Sequence, residues 1–182
     1  MKIIIASDIH GSEYYCKKLV ERFEEEQAER MFLLGDILYH GPRNDLPKDY
    51  CPKGVISLLN PLAAKILCVK GNCESEVDGM VLDFSAESDS AQAFFENGVT
   101  LYLTHGHKTV KNIENSGCVL VSGHTHVPVF EVSENGFARI NPGSVSIPKE
   151  GSCNSFVVFD GTRFTWKNVC DGKAYMEYEL KI

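Results

Sequence analysis

Five short apolar runs, Lys2 to Ala6, Met31 to Leu34, Ile66 to Val69, Val99 to Leu103 and Val119 to Val121, each give way to glycine and a metal-ligand type of residue. The polar residues are Asp8, His10, Asp36, Asn72, His105, His124 and His126, and the glycines are Gly11, Gly35, Gly71, Gly106 and Gly123. Runs of this length and β-branched content read as strands. Parallel strands joined by helices put their loops at one edge of a sheet, so ligands scattered along the chain can meet at one point. Glycine permits the sharp turns and close backbone approach that such crowding needs.

The spacing between runs predicts the first half. Lys2 to Ser7 is almost unbroken in β-branched residues, as expected for a strand covered on both faces. Ser12 is placed to cap a helix in which Tyr15, Leu19 and Phe23 recur at helical spacing. Met31 to Leu34 follows as a second strand, Pro52 to Leu59 as a helix opened by proline, and Ile66 to Val69 as a third strand. The first half therefore reads βαβαβ. The second half reads as short strands separated by turns: Val99 to Thr104, Cys118 to Ser122, Val127 to Val132, Phe137 to Ile140, Ser155 to Asp160, Arg163 to Asn168 and Ala174 to Leu180. Asn135-Gly136 and Asp160-Gly161 suit hairpin turns, and antiparallel meanders are expected there. Glu74 to Asn97 is the stretch that the pattern assigns least. No linker or low-complexity tract divides the 182 residues, so one domain over 1–182, built on two packed sheets with helices outside, is the expectation.

Composition narrows the function. A net charge of −7 disfavours a broad phosphate-backbone footprint, so no stable nucleic-acid partner is expected. The seven cysteines are spread without a Cys-x-x-Cys pair, which suits a reducing, cytoplasmic setting. No apolar run is long enough to span a membrane, and Ile3 to Ile5 is too short for a signal peptide. The Glu21 to Arg30 charge run reads as the solvated end of a helix.

Two carboxylates, four imidazoles and a carboxamide form a mixed nitrogen and oxygen set that suits first-row divalent ions. Taken singly, Asp8 or Asn72 is an ordinary turn residue and His105 an ordinary strand end. Two Asp-x-His or His-x-His pairs together with Gly-Asp and Gly-Asn at strand ends are harder to explain that way. One ion cannot use seven side chains, and Asp36, next to Gly35, is the candidate to bridge two ions ~3.5 to 4 Å apart. Two such cations with Asp8, Asp36 and one hydroxide leave about +1, enough to attract phosphate to an acidic chain.

Ser7-Asp8-Ile9-His10-Gly11, Leu34-Gly35-Asp36, Lys70-Gly71-Asn72-Cys73-Glu74, Thr104-His105-Gly106-His107 and Ser122-Gly123-His124-Thr125-His126 resemble, in order, the motifs of calcineurin-like metallophosphoesterases. His40-Gly41-Pro42-Arg43-Asn44, Glu76-Val77-Asp78 and Asn141-Pro142-Gly143-Ser144-Val145-Ser146-Ile147-Pro148 are similar to the small bacterial YfcE-type phosphodiesterases within that superfamily. The resemblance spans most of the chain and weakens after Lys149.

It implies a four-layer αββα sandwich of two mixed β-sheets flanked by helices. It also implies one metal among Asp8, His10, Asp36 and His126, and another among Asp36, Asn72, His105 and His124. The family's usual ion is manganese, with iron, zinc, nickel or cobalt as alternatives. The implied reaction is hydrolysis of small phosphodiesters by a metal-bridging hydroxide, in a homodimer or homotetramer. Many relatives carry histidine after the asparagine, to which protonation of the leaving oxygen is attributed, whereas this chain has Cys73. A thiol with a pKa near ~8.5 is a poorer general acid than imidazolium at neutral pH. His107 is a second candidate acid, and Arg43 and His40 are candidate substrate contacts. The alternatives are a phosphomonoesterase or nuclease of the same superfamily, and a protein-interaction scaffold like the retromer subunit Vps29, because a fold alone does not choose a function. That scaffold resembles this chain with Asp-Phe in place of Asn72-Cys73.

Overall fold

The computed structural model describes residues 1–181. At its centre lies β1 (Ile3–Ala6), whose four residues are fully buried. Successive side chains of a strand point to opposite faces. Ile4 and Ala6 accordingly enter one core, and Ile3 and Ile5 enter another. That two-sided burial explains the unbroken apolar run.

β1 pairs in parallel with β2 (Arg30–Leu33), which pairs in parallel with β3 (Ile66–Cys68). Between them run α1 (Glu13–Glu25) and α2 (Pro52–Leu59). The Ser12 hydroxyl accepts the Tyr15 N–H at 3.3 Å and caps α1, which buries Cys16, Leu19 and Phe23. Pro52 opens α2, whose Val55 and Leu59 face the same core. The βαβαβ expectation for the first half holds.

The second half differs from the expected antiparallel meanders. β4 (Ser90–Phe94), β5 (Thr100–Thr104), β6 (Val119–Ser122), β7 (Pro128–Val132) and β8 (Ala138–Pro142) form a sheet in the order β4-β5-β6-β8-β7. Within it β5, β6 and β8 are parallel, while the hairpins β4-β5 and β7-β8 are antiparallel. The long stretch between β5 and β6 is what allows a parallel crossover. β9 (Ser155–Phe159), β10 (Arg163–Asn168) and β11 (Ala174–Glu179) return to the first sheet, giving the order β11-β10-β9-β1-β2-β3 with β9 antiparallel to β1. β4 and the short α3 (Asp78–Val81) both lie in the stretch that the sequence pattern left open.

The two mixed sheets pack face to face through Ile3, Ile5, Phe32, Leu34, Leu101, Val121, Ile140, Phe159 and Trp166. α1 and α2 cover the first sheet from outside. The second sheet is covered by a thinner layer, a loop with one 3-10 turn at Ile113–Asn115 that closes over Leu120 and Phe137. Among the described residues no helix is long and apolar enough to cross a membrane, and none of the seven cysteines is in a disulfide. The parallel strands of both sheets end on one side of the sandwich, and their following loops carry the polar residues of the sequence motifs.

Candidate metal centre

Asp8 and His10 follow β1, Asp36 follows β2, Asn72 follows β3, His105 follows β5, and His124 and His126 follow β6. Asp8, His10, Asp36, His124 and His126 have φ of 59°, 49°, 55°, 69° and 62°. A non-glycine residue in this left-handed region is uncommon and strained, and such strain persists where the surrounding structure forces it, often at functional sites. All five are Asp or His, which among non-glycine residues adopt this region several-fold more readily than most.

The side chains meet in two groups joined by one carboxylate. In the first, His126 Nε2 lies 3.2 Å from both Asp8 Oδ1 and His10 Nε2, and His10 Nε2 lies 3.6 Å from Asp8 Oδ1. In the second, His105 Nε2 lies 3.0 Å from Asn72 Oδ1 and 3.2 Å from His124 Nδ1. Asp36 Oδ2 reaches both, at 3.7 Å from His10 Nε2 and 3.4 Å from His105 Nε2. All seven sequence-predicted ligands are thus brought together.

The arrangement calls for positive charge at its centre. The Nδ1 atoms of His10, His105 and His126 are each 2.7 Å from a backbone carbonyl oxygen, of Tyr39, Leu34 and Ile147 respectively. A ring nitrogen so placed carries the proton, which leaves the Nε2 lone pair facing inward. His10 and His126 then oppose two lone pairs at 3.2 Å. Asp8 Oδ1 is buried with no well-directed hydrogen bond. Such a cluster is neutralised by protons or by cations between the donors. Burial works against charging His105, yet the hydrogen bond to Asp36 and the charges of Asp8 and Asp36 raise it to about 9. His10 is raised likewise against burial, chiefly by Asp8. Burial would raise Asp8, but the facing imidazoles of His10 and His126 hold it far below the usual carboxylate range. Buried oxygen and nitrogen donors that attract this much positive charge fit divalent metal ions.

Backbone contacts hold the donors in place. Asp36 Oδ1 accepts the Cys73 N–H at 2.9 Å, which leaves Oδ2 for the shared position. Glu74, buried, accepts the N–H of Asp36 at 2.9 Å and of Ile37 at 2.7 Å, and also that of Gly71. Asp8 Oδ2 accepts the His124 N–H at 3.1 Å, and the Asp8 carbonyl accepts the Ser144 and Ser146 hydroxyls at 2.8 and 3.1 Å. Asn141 Nδ2 donates to the Gly123 carbonyl at 2.8 Å. Sequence reasoning assigned no role to Glu74, Asn141, Ser144 or Ser146. All four lie inside motifs that carried the family resemblance, which was the one available signal. Glu74→Ala orphans three backbone N–H groups at roughly 1 kcal/mol or more each. A fall in unfolding free energy of about 3 kcal/mol is expected from urea titration, and a fall under 1 kcal/mol contradicts the clamp.

A cleft of about 430 Å³ opens over Asp36, Asn72, Cys73, His124 and His126, bounded by Gly41 to Asn44, Thr125 and Lys149. Cys73 and Arg43 both line this cleft. Burial, and after it the charge of Asp36, pushes the Cys73 thiol well above the usual range, and its sulfur accepts from Asn72 Nδ2 at 3.2 Å. His40 and His107 are absent from the cleft lining. The His40 ring is set edge-on between Tyr39 and Tyr50, with centroids 4.8 and 5.2 Å away. His107 stands behind the second group, 5.4 Å from the His105 ring and 6.2 Å from that of His124. Burial and the neighbouring His105 lower its pKa.

The fold and the site together define a class, a β-sandwich with a strand-end cluster of Asp, His and Asn, most of it buried. Residues 1–163 match the calcineurin-like phosphoesterase superfamily domain, and the chain belongs to that superfamily. It is 45% identical over 163 residues to Phosphodiesterase YfcE of Escherichia coli strain K12, an alignment covering 88% of each chain. The solved structure of YfcE, a phosphoesterase from E. coli, superposes with a TM-score of 0.92 at 39% identity and full coverage of both chains. Vps29 of Chaetomium thermophilum shares the fold at a TM-score of 0.60, with 12% identity and 99% of each chain covered.

Proposed function

We propose that this protein is a metal-dependent phosphodiesterase acting on small phosphodiesters, with two divalent ions, manganese in the working enzyme. One ion is held by Asp8, His10, Asp36 and His126, and the other by Asp36, Asn72, His105 and His124. The observation that carries this reading is Asp36 Oδ2, within 3.7 Å of one imidazole group and 3.4 Å of the other. The 45% identity to a phosphodiesterase supports the choice of diester.

When bound, the two ions supply Lewis acidity, lowering the pKa of bound water and offsetting charge on the phosphate. The chain's own part is to fix orientation. Carbonyl oxygens of Tyr39, Leu34 and Ile147 set three imidazole tautomers, and the Cys73 N–H sets the Asp36 carboxylate. Arg43 borders the cleft as a hydrogen-bond donor to phosphate oxygens. Cys73 remains a neutral thiol and gives the leaving oxygen little help as an acid. Substrates whose alcohols leave readily are therefore favoured.

The Vps29 likeness concerns the fold alone, and no feature of the cleft favours a scaffold over an enzyme. The lack of a membrane-crossing helix among the described residues and the unpaired cysteines support a cytoplasmic setting. Exposed Val77 and Met80 on and beside α3 support a homodimer or homotetramer.

The test is purified protein with manganese against matched phosphomonoesters and phosphodiesters. Turnover of diesters well above monoesters is expected, and no diester turnover at full metal loading overturns the proposal. A second result is expected of Cys73→His: faster hydrolysis of alkyl diesters by ~10-fold or more, because general acid catalysis helps poor leaving groups most. Esters of 4-nitrophenol should change little. An alkyl rate that stays flat with metal content intact sinks this account of Cys73.

A further inference from the structure

The cleft has two sets of walls, the candidate metal ligands and a rim that belongs to no ligand set. The rim side chains are Pro42, Arg43, Asn44, Cys73, Thr125 and Lys149, and among the described residues no aromatic or large aliphatic side chain lines the space apart from the imidazoles of His124 and His126. Bases are bound on stacking surfaces, and an apolar ester group needs apolar walls. This rim offers neither. It offers two cations, an amide, a hydroxyl and the Cys73 thiol.

Among the described residues, neither Arg43 nor Lys149 is ion-paired, and these are the two basic side chains on the cleft lining. Both cations project from anchored backbone. The Lys149 N–H donates to the His126 carbonyl at 3.2 Å, and the Lys149 carbonyl accepts the Ser152 N–H at 3.0 Å and its hydroxyl at 2.7 Å. Arg43 sits in the turn from Gly41 to Asn44, where the Asn44 N–H meets the Gly41 carbonyl at 3.4 Å and Asn44 Nδ2 donates to the His40 carbonyl at 2.8 Å. In a chain of net charge −7, two unpaired cations at the mouth of one cleft create a local anion-attracting field.

We propose that Arg43 and Lys149 form an anion subsite beside the scissile phosphate. The substrate is then a phosphodiester one of whose alcohols itself carries a phosphate, on a compact polyol rather than a nucleoside. This rests on the phosphodiesterase reading above. Hydrolysis adds one water: the bond from phosphorus to the leaving oxygen breaks, a bond to the water oxygen forms, one proton goes to the leaving oxygen and one to solvent.

Two synthetic diesters with the same 4-nitrophenyl leaving group test it, one with a 2-phosphoethyl group on the other side and one with a 2-methoxyethyl group. The phosphorylated diester should have a kcat/KM about tenfold higher, the effect of hydrogen bonds to charged groups discounted for solvent exposure. That ratio should fall toward one in the Arg43→Met/Lys149→Met double variant, survive in Lys149→Arg, and be untouched by Lys53→Met on α2. Calorimetry gives a readout without turnover: ethylene glycol bisphosphate should bind metal-loaded double variant about tenfold more weakly than wild type, with a smaller change for inorganic phosphate. Equal kcat/KM for the two diesters, or a ratio that survives the double variant, overturns the subsite while leaving the phosphodiesterase reading intact. Failure to hydrolyse either diester overturns that underlying reading instead.

Discussion

Asp36→Ala is expected to lower diester turnover on the order of a thousandfold, the loss that follows removal of a central electrostatic element. Among the described residues, Asp36 is the carboxylate that lies within 4 Å of an imidazole nitrogen in both groups, at 3.7 and 3.4 Å. Its other oxygen ties the loop after β3 to the loop after β2 through the Cys73 N–H. Truncation therefore removes a negative charge from between two sets of donors and frees the loop that carries Asn72. Asp36→Asn keeps the shape without the charge and should lose activity nearly as far with less effect on stability. Steady-state rates together with bound metal per chain decide the matter. Turnover within tenfold of wild type in Asp36→Ala contradicts the assignment of Asp36 as the shared ligand.

Gly35→Ala should destabilise the protein by about 3 kcal/mol or more, from overpacking combined with a strained backbone. Gly35 has φ +94°, and a Cβ there would lie 2.4 Å from the Gly71 nitrogen and 2.6 Å from its Cα. Those are backbone atoms, so no rotamer change relieves the clash. The two loops that carry Asp36 and Asn72 touch at this point, so the same substitution should displace both. For a chain of this size the loss corresponds to a fall in Tm of about 6–12 °C. Gly98→Ala is the control, because Gly98 also has positive φ, +87°, but nothing lies within 4 Å of its Cβ position. It should lose about 1 kcal/mol from the backbone alone. Similar melting temperatures for the two variants would show that the close approach at Gly35 does not matter.

The parts of the fold that local pattern controls were legible. β1 declares itself because both of its faces are buried, and α1 and α2 because Ser12 and Pro52 mark their starts. β4 was not legible, since Ser-Ala-Gln-Ala-Phe has weak strand propensity and becomes a strand by pairing with β5. Nor does anything local in Ser155–Phe159 tell that it will pair with β1, at the far end of the chain, rather than with the strands just before it.

The site divides in the same way. Asp8, His10, Asp36, Asn72, His105, His124 and His126 could be chosen because their residue types and strand-end positions are local facts. The hold of Glu74 on Asp36 and Ile37 spans 38 and 37 residues, and hydrogen bonds at that separation leave no spacing to read. His40 and His107 look equivalent to the ligands in sequence, yet the loops turn them away from the cleft lining. The same long-range geometry brought Lys149 to the rim, a residue that sequence reasoning gave no role.

The most direct test of a two-ion centre is to reload chelator-stripped protein with manganese while counting bound ions per chain and following diester hydrolysis. No turnover is expected in the stripped protein, with recovery on reloading and saturation of both signals at two ions per chain. Full turnover in stripped protein, or saturation of activity at one ion per chain, would contradict a two-ion centre.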